Sequence, residues 1–201
     1  MIDPLLSTGF PLTLLGIGRL LELLEHTSPG AERAAALGRY ERVTLDELDA
    51  TEQLVAALYT NMSDVPLFKR LTLLYFAAAS YAETMRRLGR TDLAPGFLLS
   101  AHRDFGPELL ACAAAAAGSP VGPSREALLA RIDRAIAPFD IAGLRDPSRR
   151  DWYPVLAGDL FANASKLQAT AGELVALLDR CGFAARSDSM NSETGPTRNK
   201  A

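Results

Sequence analysis

The residues best placed to do chemistry open the chain, in the run Asp3-Pro4-Leu5-Leu6-Ser7-Thr8-Gly9. Asp3-Pro4 is a turn dipeptide, because a proline pushes the residue before it out of the helical region. Ser7 and Thr8 are good N-cap types, and Gly9 permits close backbone approach or a left-handed conformation. Pro11 follows in what reads as the first turn of a helix, where its missing N–H removes a donor that has no partner within the helix. A loop that leads into a helix in this way aims backbone N–H groups and the positive end of the helix dipole at one point. That is a ready site for an anion or for the electron-rich edge of a cofactor.

The same run, with Ile2 before it, resembles the Phe-Ile-Asp-Pro-x-x-Ser-[Ser/Thr]-Gly segment found late in FAD-dependent monooxygenases and halogenases. The resemblance implies that the Pro4-to-Gly9 loop packs along a flavin, with the following helix pointing at the pyrimidine edge of the ring. It also implies Asp3, Pro4, Ser7, Thr8 and Gly9 as cofactor-binding residues and a small-molecule substrate in the intact enzyme. Leu6 stands where tryptophan-type halogenases carry a glutamate, which argues against that subgroup; phenol- and pyrrole-type relatives have an apolar residue there. The Gly-x-Gly-x-x-Gly fold and the Gly-Asp motif that precede this segment in the family have no counterpart in residues 1–201. The expectation is a C-terminal portion that supplies the flavin-edge loop and a helical domain and does not hold FAD tightly alone.

Other reactive types are sparse. His26 and His102 are the only histidines. Glu22 lies one turn before His26, but a zinc site needs at least a third ligand, so no metal is expected. His102-Arg103-Asp104 could serve acid–base chemistry, yet Asp104 stands where it should cap a helix. Cys112 and Cys181 are far apart, form no Cys-x-x-Cys pair and have no visible activating base. Gly16-x-Gly18 follows no strand and has Leu21 where a third glycine belongs, so it is no dinucleotide fingerprint. Gly118 to Pro123 is glycine-rich but lacks the Gly-Lys-[Ser/Thr] of a phosphate loop. Arg149-Arg150-Asp151-Trp152-Tyr153-Pro154 holds the only tryptophan, which reads as packing rather than as pocket lining.

Elements that position these residues follow from composition and period. The chain has 201 residues, 48% hydrophobic and 22% charged, enough for one domain with a sizeable core. A formal net charge of −3 gives no electrostatic footprint for nucleic acid. No uncharged run reaches the length of a membrane span, and no leader-type pattern opens the chain, so the expected location is the cytoplasm with free thiols.

The apolar period predicts an all-α domain of about six to eight helices over residues 1–183, then a disordered tail over 184–201. A first helix spans Phe10 to His26 and a short one Ala31 to Arg39. Thr44-Leu45-Asp46-Glu47 reads as a capping box opening a helix to Asn61, with Leu48, Thr51, Leu54, Val55 and Leu58 facing the core. Leu67 to Leu88, apolar nearly all round, should be the central buried helix, ended by Gly89. A short helix runs through Ser100, another from Asp104 to Ala117, a further one from a Ser124 cap to Ala137, and a last long one from Val155 to Cys181. Alanine- and leucine-rich faces on these helices suit a second reading: a free-standing, non-catalytic helical domain that associates with a partner through exposed apolar surface.

Overall fold

A computed structural model describes residues 6–146, 148 and 155–183. The fold is all-α: among the described residues there are seven α-helices, two single-turn 3-10 segments and no strand. The helices are α1 (Gly9–His26), α2 (Ala31–Thr60), α3 (Val65–Arg87), α4 (Phe105–Ala117), α5 (Gly122–Ile136), α6 (Ala157–Ala162) and α7 (Ala171–Arg180). The 3-10 turns, Thr91–Leu93 and Phe97–Leu99, connect α3 to α4. None of the described helices is long and apolar enough to cross a membrane. The tail from residue 184 onward lies outside the described residues.

The period that marks Leu67 to Leu88 as central is met. α3 buries Leu67, Leu71, Leu73, Leu74, Tyr75, Ala77, Ala78, Tyr81 and Met85, and packs on α5 and the Phe97–Leu99 turn. Its ends are set by side chains and by one glycine. The Asp64 carboxylate accepts the Leu67 N–H at 3.2 Å, an N-cap bond. At the other end Gly89 is left-handed at φ +74°, and the Arg90 and Gly89 N–H groups return to the Met85 and Arg86 carbonyls at 2.9 and 3.1 Å. That double return closes the helix as a Schellman motif.

α2 packs chiefly on α4, which lies between α2 and α5, while α1 rests mainly on α2. Asn61, just past α2, donates to the Ala116 carbonyl at 2.9 Å and so pins the end of α4. Tyr81, His102 and Phe105 each meet the Phe139 ring edge-on, with centroids 4.9 to 5.1 Å apart.

Four element boundaries differ from the sequence reading. Residues 31 to 60 form one unbroken helix, with no start at Thr44. Thr44 donates to the Tyr40 carbonyl at 2.8 Å instead, the bond a threonine makes inside a helix. Leu48 is exposed, because this longer helix turns Glu47, Ala50, Thr51, Leu54, Ala57 and Leu58 inward. Ser124 is inside α5, which begins at Gly122 with Pro123 in its first turn. The final helix is two: α6 ends at Ala162, and a Thr170–Glu173 capping box opens α7 after Gln168 in a left-handed conformation at φ +51°. Asp104 makes no side-chain cap at α4. His102 does it, its Nδ1 accepting the Asp104 and Phe105 N–H groups at 3.3 and 3.2 Å.

Candidate functional site

Asp3 and Pro4 lie outside the described residues, as do Trp152 and Tyr153. Of the other expected cofactor residues, Ser7 is exposed and left-handed at φ +52°, Thr8 is buried, and Gly9 is the first residue of α1. Thr8 sits at the N-cap position but in helical conformation, and its hydroxyl makes no cap bond. The cap is built from backbone: Phe10 donates to the Ser7 carbonyl at 3.3 Å and Leu12 to the Thr8 carbonyl at 3.2 Å. Pro11 brings no N–H. An anion at this end would therefore meet the Ser7-to-Gly9 amides and the helix dipole, with little from the next two residues. The loop is fastened from behind by Leu6, which packs on the core and whose carbonyl accepts the Tyr75 hydroxyl at 3.4 Å.

A second feature had no single-residue signature in the sequence. Residues of α1, α2 and the Pro95–Ala101 turn line an open cleft of about 910 Å³. Apolar Leu23, Ala36, Val43 and Leu110 line it together with Arg19, Glu22, His26, Arg39, Tyr40 and Asp46. A volume of this order is that of a small-molecule site. No residue from Leu6 to Gly9 lines it, so the loop and the cleft are separate places on the described surface.

Glu47 holds the cleft together. It is only 3% exposed, a rare state for a carboxylate, and is fully committed. Arg19 Nη1 of α1 donates to one oxygen at 2.6 Å, and the Phe97 N–H donates to the other at 2.7 Å. One side chain of α2 thus fixes α1 and the turn between α3 and α4. That turn is strained: Leu98 and Leu99 are both buried and both left-handed, at φ +53° and +58°. It also lies so close to α4 that a Cβ at Gly106 would fall 2.1 Å from the Ser100 carbonyl oxygen, which requires glycine there.

The remaining candidates have structural occupations. His26 Nδ1 donates to the Glu22 carbonyl at 2.8 Å, a contact along its own helix. His102 spends Nδ1 on the α4 cap and its ring on an edge-on contact with Phe139. Cys112 is completely buried, and burial pushes its thiol up to about 11, so it holds no reactive thiolate near neutral pH. Cys181 accepts from Arg87 Nη1 at 3.0 Å at the end of α7. Both cysteines are free. Among the described residues no three His, Cys, Asp or Glu side chains converge as a metal site would need. No protein-family model, curated protein or solved structure matches this chain.

Proposed function

We propose that the chain is the C-terminal helical part of an FAD-dependent oxidoreductase of the monooxygenase or halogenase type, acting in the cytoplasm on a small molecule. The observation that carries this reading is the Ile2-to-Gly9 string running directly into the N-terminus of α1, with Thr8 buried at the helix head. In such an enzyme the flavin supplies the redox chemistry. This chain's own contribution is electrostatic and steric. The Ser7, Thr8 and Gly9 amides with the α1 dipole stabilise negative charge at the ring edge or hold an anion. The helical domain walls off the substrate side. The test is the native protein: an antiserum against this chain should detect, in extracts of its source, a species heavier than 21.5 kDa that co-purifies with flavin absorbance. A flavin-free species of 21.5 kDa would overturn the reading.

A second reading is favoured by a different observation. Phe10, Leu14, Ile17, Leu21 and Leu24 form an uncovered apolar face on α1. A non-catalytic helical domain that works by association would carry such a face.

A further inference from the structure

The cleft lined by α1, α2 and the Pro95–Ala101 turn carries more negative charge than its share of the chain. Four carboxylates line it, Glu22, Asp46, Glu47 and Asp49, against two arginines, Arg19 and Arg39. That surplus of two compares with a formal net charge of only −3 over all 201 residues. Arg19 and Glu47 are spent on each other. The carboxylates of Glu22, Asp46 and Asp49 make no hydrogen bond or ion pair with any described residue, and neither does the Arg39 guanidinium. Asp46 and Asp49 stand one turn apart on α2, where like charges repel and weaken a helix.

The same cleft is apolar in part: Leu23 of α1, Val43 of α2 and Leu110 of α4 line it beside the carboxylates. A cleft of one sign with low-dielectric walls focuses its field and concentrates ions of the opposite sign. Two classes of ion fit poorly. An organic anion would meet the charge surplus. A bare metal ion would leave the apolar wall wet, and among the described residues no three His, Cys, Asp or Glu side chains come together to hold one. A cation with a hydrocarbon body satisfies both the charge and the wall. Tyr40, half-buried in the same lining, has a hydroxyl that bonds to no described residue and can accept an N–H. The volume of about 910 Å³ suits a small molecule.

We propose that the cleft binds a small organic amine in its protonated form, its apolar body against Leu23, Val43 and Leu110 and its ammonium group beside Asp46 and Asp49. Glu22 adds its charge from α1. No residue of the Leu6-to-Gly9 loop lines the cleft, and neither does any residue of the exposed α1 stripe. The site therefore stands apart from both readings above, and loss of either leaves it in place.

Isothermal titration calorimetry of the full chain tests it with three probes that share one body: phenylbutylammonium, phenylbutanol and phenylbutyrate. At low salt the ammonium should bind about tenfold more tightly than the alcohol, the effect of two exposed charge pairs, and the carboxylate should give no measurable heat. Added sodium chloride should erode the preference for the ammonium and leave the alcohol as it is, because salt screens exposed charges. Asp46→Asn combined with Asp49→Asn should bring the ammonium down to the affinity of the alcohol. Both side chains are exposed, so the helical circular dichroism spectrum should not change. Leu110→Lys, which sets a cation in the wall, should abolish ammonium binding. An ammonium that binds no better than the alcohol overturns the proposal, as does an affinity that the paired asparagines leave unchanged. Failure of all three probes to bind overturns it too. A carboxylate that binds as tightly as the ammonium marks a non-selective apolar surface and refutes the amine site.

Discussion

Glu47 joins three segments through two oxygens, so its removal has a definite outcome. Glu47→Ala leaves the Phe97 N–H and the partly exposed Arg19 guanidinium without their acceptors. Because water can reach Arg19, the loss should be that of an orphaned hydrogen-bonding group, about 1–3 kcal/mol. Glu47→Gln keeps an acceptor for the Phe97 N–H and should lose measurably less. Urea denaturation of the three proteins ranks them, and equal stability of wild type and Glu47→Ala would show that the pair does not hold the turn. His102 gives a second case at this scale. His102→Ala deletes the α4 cap, worth about 1 kcal/mol, whereas His102→Asn restores an acceptor and should recover most of it. Neither role was legible in the sequence. Glu47 reads there as the last member of a capping box, and Asp104, a better capping type, stands beside His102. A local string shows which bonds a side chain can make with its neighbours; it carries no trace of Arg19, 28 residues away, or of a backbone N–H 50 residues on.

Elements follow the same logic with longer reach. Two strings in this chain have the form Thr-x-x-Glu, at Thr44–Glu47 and at Thr170–Glu173. Only the second is a helix start. There the Thr170 hydroxyl accepts the Glu173 N–H at 3.3 Å and Glu173 accepts the Thr170 N–H at 2.8 Å. The first lies in a run from Ala31 to Thr60 in which the one glycine, Gly38, sits six residues earlier and there is no proline, so nothing interrupts propagation. Before Thr170 the chain has already left α6 and turned through left-handed Gln168. Thr170→Ala should therefore cost about 1 kcal/mol of stability, and Thr44→Ala no more than about 0.5 kcal/mol. Comparable losses from the two, measured by chemical denaturation, would mean that a break at Thr44 exists in solution. Periodicity did locate α3, and Leu160, Leu167, Leu174 and Leu177 are buried, though on α6, the connection after it and α7 rather than on one helix face. The break at Gln168 went unmarked because its turn rests on a left-handed non-glycine residue, which no composition rule signals. The cleft is likewise invisible in any local string, since residues of α1, α2 and the 95–101 turn line it together.

Over the whole molecule, the helices are tied to one another by arginine–carboxylate pairs at their junctions. Arg125 of α5 grips Asp64, the α3 cap, through both nitrogens, at 2.5 and 2.7 Å. Arg131 grips Glu108 of α4 the same way, at 2.7 and 2.9 Å. Hydrogen bonding from these arginines holds the Asp64 and Glu108 carboxyls below the usual carboxylate range. The Thr170 N–H and hydroxyl, with Arg90 beyond them, do the same for Glu173. A carboxyl that is more acidic in the folded chain than in the unfolded one stabilises the fold while ionised. That contribution is complete above the ordinary carboxylate values of about 4 and is lost as pH falls through the depressed ones, because the unfolded chain takes up protons first. The urea midpoint should thus be level between neutral pH and about pH 5, then drop steeply below about pH 4. Each pair is partly exposed, so each contributes modestly, and salt should flatten the acid limb by screening. The bidentate geometry makes the pairs separable: Arg125→Lys keeps the charge near Asp64 but loses the fork, and should shrink the drop below pH 4. Arg103→Lys, changing an arginine that is almost wholly exposed beside Asp104, should leave the limb as it is. If both variants track the wild type through acid, the junction carboxylates are not what holds these helices together at neutral pH, and the stability of the bundle rests on the α3 core alone.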